Sequence, residues 1–159
     1  MPRLALVLLC AAAFVWLTGG SLPPVVASHF SAGGAADGFV ARADYVTLML
    51  VLAVGLPLVI SMIMRLAALL PVRFINLPNR DYWLAAERRE ATLAYLRDHG
   101  TRLAEIATAF PCFVHWLVVQ ANAATPAHFP ETLFFGGVAA FLVVLALWGV
   151  RFIVHFRGR

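Results

Sequence analysis

Four largely apolar stretches run along this chain, and three polar, turn-rich stretches separate them. The first apolar block covers residues 4–22, and its core LALVLLCAAAFVWL has no polar face. That is how a helix in lipid reads, not one lying on a water-soluble core. The second block covers residues 45–64 and opens on Tyr45, a residue type favoured at the membrane interface. Gly55 and Pro57 in its middle predict a kink, tolerated because neighbouring helices re-satisfy the freed carbonyls. Arg65 ends this block and can snorkel to lipid headgroups. The third block covers residues 103–119, with a second kink predicted at Pro111. The fourth covers residues 132–150, where Gly136 and Ala140 form a small-xxx-small pair suited to close helix packing. A span needs about 20 largely apolar residues, so the pattern predicts four transmembrane helices.

The polar stretches predict the rest. Residues 23–42 begin with Pro23-Pro24, which stops a helix, and carry turn signals at Gly33-Gly34 and Asp37-Gly38. His29 and Phe30 lie between them, and Phe30 and Phe39 are expected to dock onto the bilayer surface or onto helix ends. Residues 71–102 are the most charged. Pro71 and Pro78 break the segment early, Asn79 or Asp81 can cap a helix starting near Tyr82, and Gly100 can close it. Trp83, Ala86, Leu93 and Leu96 fall near one face of that helix, which predicts an amphipathic helix along the membrane surface. The third stretch, residues 123–131, is short and repeats the His-Phe pairing as His128-Phe129.

Charge sets the threading. All 12 basic side chains other than histidine are Arg. Arg3, the 71–102 segment and the tail with Arg151, Arg157 and Arg159 fall on one side, and only Arg42 on the other. The positive-inside rule then predicts cytoplasmic termini and an outer loop at residues 23–42. Composition agrees: 62% of residues are hydrophobic and 13% charged, against about half and a quarter in soluble domains. The expected fold class is therefore all-α integral membrane, one domain over residues 1–159, with four transmembrane helices plus a cytoplasmic interfacial amphipathic helix. The net charge of +4 sits beside apolar blocks, so the expected partner is the lipid bilayer and not nucleic acid. The first block also has the layout of a cleavable signal peptide, but Gly19-Gly20 make a poor cleavage site and an uncleaved anchor is expected. Cys10 and Cys112 lie inside apolar blocks without paired or metal-type spacing and read as small apolar residues.

Candidate chemistry is sparse. The chain has no phosphate-binding loop, no dinucleotide glycine fingerprint, no HExxH and no nucleophile elbow. No enzyme activity, cofactor or metal is expected from it. The informative groups are polar residues at depth. Glu105, Thr108, Cys112, His115 and Asn122 follow at helical steps, which keeps them on one face. Polar groups are costly against lipid, so this stripe should face the bundle interior. His115 lies about 15 Å of helix from Glu105. It reads either as part of a proton relay with Glu105 at the cytoplasmic mouth, or as a neutral histidine hydrogen-bonded to another helix. On the outer face, His29, Asp37, Asp44, His128 and Glu131 read as a loose metal site or as solvated loop residues.

His29-Phe30, Gly33-Gly34 and Asp37-Gly38, set between two spans after a proline pair, resemble an uncharacterised bacterial membrane domain. That domain also forms the N-terminal part of the SdpI-type immunity proteins, which protect cells from a secreted toxic peptide. The resemblance covers about residues 19–62, and INLPNRDYWLAAERRE looks like the matching segment of small stand-alone members. The family usually has Trp and Lys near Phe39 and Arg42, and the SdpI-type proteins carry additional spans. The resemblance implies a bacterial inner (cytoplasmic) membrane and the outer motif, but not immunity as a function. The residues it carries over are His29, Phe30, Asp37 and Gly38, read either as a recognition site or as a turn shaped by Gly34, Asp37 and Gly38 and anchored by Phe30.

The expected function is non-enzymatic: an outer-face loop recognising a peptide, a lipid or a partner subunit, in an immunity- or signalling-like role. The alternative is a proton-coupled transporter, or a component of a transport complex, using the stripe of Glu105, Thr108, Cys112 and His115. A membrane-protein or peptide partner and an oligomer are compatible with either.

Overall fold

The computed structural model describes residues 2–67 and 69–157. In chain order the elements are helix α1 (Pro2–Gly19), strands β1 (Val25–Phe30) and β2 (Ala36–Ala41), and helix α2 (Arg42–Leu50). A π-helical turn (Val51–Gly55) leads into α3 (Leu56–Ala67), and a 3-10 turn (Val72–Phe74) precedes α4 (Arg80–Trp83). Two long helices follow, α5 (Ala86–Ala123) and α6 (Glu131–Arg157). Among the described residues, four helices are long and apolar enough to cross a membrane: α1, the continuous rod Arg42–Leu66, α5 and α6. The chain is mostly helical, and its four candidate spans suggest a multi-pass membrane protein.

The helices form because their apolar residues recur at helical spacing. In α1 the buried residues are Leu4, Leu8, Ala11, Val15 and Gly19, one stripe at steps of three and four. Leu6, Leu9, Trp16 and Leu17 point away from the protein, as lipid-facing residues would. The rod starting at Arg42 widens into the π turn just before the buried Pro57. Proline has no N–H to give the preceding turn, and a one-residue shift in register absorbs the mismatch. Gly55 and Pro57 predict a kink, whereas the structure has a π turn within a continuous helix. Val15, Val26, Tyr45, Met49, Ala53 and Val118 join α1, the hairpin, the rod and α5 in one core.

Two expectations are corrected. The first concerns residues 23–42, read as a loop within an all-α protein. They form an antiparallel hairpin, pairing Val25 with Ala41, Val26 with Val40, Ala27 with Phe39, His29 with Gly38 and Phe30 with Ala36. The segments VVASHF and ADGFVA carry β-branched and aromatic residues that suit strands. Gly33 and Gly34 supply the positive φ angles, 92° and 81°, that turn one strand into the other.

The second concerns the charged segment. An amphipathic helix ending at Gly100, then a separate span from residue 103, are not two elements: α5 runs unbroken for 38 residues. At about 1.5 Å per residue that is about 57 Å, well beyond the roughly 30 Å of hydrocarbon. Gly100 is not a helix end but a crossing point, since a Cβ there would collide with Met64 of α3. The short α4 precedes α5 and is entered through Asn79, whose φ of 51° is left-handed and whose side chain makes no capping bond. In α6, Gly136 faces open space, while Gly137 lies against the ring of Phe113 on α5.

Candidate functional site

The sequence-predicted residues fall into two assemblies, one on the hairpin and one inside the bundle. The hairpin is fastened at several points. On α5, Asn122 accepts a hydrogen bond from the Ala27 N–H and donates to the Ala27 carbonyl, both at 2.9 Å. The ring of Phe30 stacks on Phe129 at 4.9 Å, which anchors it to the second loop. The Phe129 N–H donates to the Gly34 carbonyl at 2.8 Å, and the Gly33 N–H donates to Glu131 Oε1 at 2.9 Å. A Cβ on Gly34 would lie 2.6 Å from the Phe129 carbonyl oxygen, so only glycine allows this approach. Arg42 closes the base, donating to the Leu22 carbonyl at 2.9 Å.

On this fixed plate His29 and Asp37 meet across the strands, Nδ1 to Oδ1 at 2.5 Å. The pairing places one extra residue, Ser28, on β1 and then another, Asp37, on β2. Bulges of this kind re-aim side chains, and here they bring an imidazole and a carboxylate together. Gly38 sits opposite His29, and a Cβ there would lie 2.7 Å from the His29 Cβ. The His29 side chain is 76% exposed and that of Asp37 46%, so the pair presents itself to whatever approaches. Phe39, also exposed, does not dock onto the bundle. Of the four residues carried by the outer motif, His29, Asp37 and Gly38 thus make one exposed unit, and Phe30 anchors it. Asp44 lies apart in the first turn of α2. His128 lies beneath Gly34, and Glu131 is engaged by Gly33. Among the described residues, no three His, Cys, Asp or Glu side chains are grouped to hold a metal ion.

The stripe on α5 does face the interior. His115 is fully buried, its Nε2 2.8 Å from Thr18 Oγ1 and its Nδ1 3.1 Å from the Tyr45 hydroxyl. The single hydroxyl hydrogen of Thr18 goes to the Phe14 carbonyl at 2.6 Å. Nε2 must then carry the proton and donate to Thr18, leaving Nδ1 to accept from Tyr45. This is a neutral imidazole with both nitrogens satisfied. Glu105 lies at the other end of the stripe and binds Arg3 at 3.0 Å. Between them Thr108 donates back to the Ala104 carbonyl at 3.0 Å, and Cys112 packs against the apolar core. The stripe is a row of locally satisfied groups, without a hydrogen-bonded path from Glu105 to His115 along these residues.

Sequence reasoning missed the partners of His115, which stand 97 and 70 positions away along the chain. It also missed a column of five stacked rings at the opposite end of the bundle. Trp83 stacks on His155 at 5.3 Å, His155 on Tyr95 at 3.7 Å, Tyr95 on His99 at 5.5 Å and His99 on Trp148 at 4.3 Å. The signal was present: Tyr95 and His99 are four apart on α5, while Trp148 and His155 are seven apart on α6. Comparison with protein-family models, curated proteins and solved structures finds no match to this chain.

Proposed function

We propose that this is a non-enzymatic recognition protein of the bacterial inner membrane, with both termini in the cytoplasm and the hairpin outside. The hairpin binds a peptide or an extended segment of a partner subunit, in an immunity- or signalling-type role. The observation that carries this reading is the exposed His29–Asp37 pair on a hairpin bolted to the helices through Asn122, Phe129 and Glu131. A side-chain pair held ready on a rigid support loses little freedom on binding, which favours recognition. Exposed Phe39, two residues along β2 from Asp37, adds apolar contact surface. The threading follows the distribution of Arg, since only Arg42 stands at the hairpin end.

The test is capture of a crosslinked partner or peptide from native membranes. Replacing His29 and Asp37 with Ala should abolish capture while the protein remains inserted and folded. Undiminished capture by the double variant would refute this reading, and recovery of lipid alone would replace a peptide with a lipid as the ligand.

A second reading is proton-coupled transport, favoured by the burial of Thr108 and His115 within the bundle. It predicts that His115→Ala removes a pH-dependent flux in liposomes and that His29→Ala leaves it intact.

A further inference from the structure

A cavity of about 410 Å³ lies at the end of the bundle that carries the ring column. Its walls come from α3, the 70–77 segment, α5 and α6, with Met64, Leu77, Leu96, Trp148 and Phe152 among the apolar side chains. The volume falls within the roughly 300–1,000 Å³ of small-molecule sites. His99 also lines it. This histidine is 6% exposed, and its Nε2 is buried with no hydrogen-bond partner among the described residues.

An unsatisfied buried nitrogen is an expensive feature to keep without a use. The surroundings hold the ring firmly. Tyr95 stacks at 5.5 Å on His99, Trp148 stacks at 4.3 Å, and Phe152 lies at 5.2 Å. The Trp148 N–H donates to the His99 backbone carbonyl at 3.1 Å, which fixes α6 against α5 at this height. The imidazole is thus pre-positioned, and one of its nitrogens waits for a partner.

We propose that this cavity binds an uncharged, ring-bearing amphiphile with a carbonyl oxygen, chemically of the quinone type, and that His99 Nε2 is its hydrogen-bond partner. Most of the lining is apolar, which favours an uncharged ligand over one whose charge would have to be desolvated. The aromatic side chains suit a flat ring. The inference is independent of the hairpin reading and concerns binding alone.

The experiment uses the full chain in phosphatidylcholine nanodiscs and a benzoquinone with a ten-carbon tail. Titration should show saturable one-to-one binding above that of empty discs. His99→Phe, which keeps the stack and removes the nitrogen, should weaken it at least tenfold, and Leu77→Trp, which fills the cavity, should abolish it. His29→Ala should bind as the native chain does. A photoreactive quinone should label residues 70–77 and 96–100 of the unaltered chain, which tests the site even if a variant fails to fold. Absence of saturable binding, equal affinity in His99→Phe, labelling elsewhere, or a retained phospholipid that the quinone does not displace would each overturn the proposal.

Discussion

His29 reaches Asp37 because its cross-strand neighbour Gly38 has no side chain: a Cβ there would stand 2.7 Å from the His29 Cβ. Gly38→Ala should therefore push the two strands apart or turn the imidazole away. The overpacking should cost about 1–3 kcal/mol in local stability. Partner capture should fall as far as it does for His29→Ala, and hydrogen exchange at residues 36–41 should quicken. Normal capture with normal exchange would show that the hairpin absorbs the methyl group.

Asn122 predicts a different outcome, confined to one element. It makes two hydrogen bonds to the backbone of Ala27, each contributing about 1 kcal/mol net. Asn122→Leu should speed exchange at residues 25–30 by about one to two orders of magnitude, with α5 itself unchanged. Mass-spectrometric exchange in nanodiscs reads this directly. Uniform acceleration along the chain would mean that the hairpin and the helices unfold as one unit.

The neutral histidine at the centre of the bundle can be tested by a double-mutant cycle. His115→Phe keeps the ring volume but strands the Tyr45 hydroxyl in an apolar core, at a cost of about 1–3 kcal/mol. Adding Tyr45→Phe removes the stranded group, so the double variant should be more stable than His115→Phe alone. Thermal unfolding in detergent gives the comparison, and strictly additive losses would contradict the pairing at 3.1 Å.

Gly100 distinguishes a helix crossing from a helix end. In a mid-helix position Gly→Ala gains about 1 kcal/mol from propensity. Here the new methyl group meets the Cβ and Cγ of Met64, so Gly100→Ala should destabilise the native chain. In a Met64→Gly background, which removes both clashing atoms, the same change should become neutral or stabilising. A penalty that survives Met64→Gly would mean that α5 ends at Gly100.

These residues also show what the sequence carries openly. The spans were legible because lipid selects apolar residues on all sides, and the inward stripe because Glu105, Thr108, Cys112 and His115 keep helical steps. The hairpin was hidden because each strand is only six residues long and bulges at Ser28 and Asp37 spoil the alternation. The unity of α5 was hidden for another reason. Its first half is charged and its second apolar, so one helix obeys two compositional rules, and Gly100 reads as punctuation until Met64 is seen against it. Thr18 and Tyr45 carry no local mark of their role, since only folding brings them to His115. The His29–Asp37 pair was foreseeable as two residues of a motif, but not as a contact, because the register of the strands decides it.

The length of α5 has a structural consequence. One end holds Asn122 and, through it, β1; the other holds Tyr95 and His99 within the ring column. Pro111 stands midway, eleven residues from Asn122 and eleven from Gly100, and it alone within the helix has no N–H to offer the preceding turn. The hairpin clamp and the ring column are therefore carried by one continuous helix, and the backbone between them is a single 38-residue element.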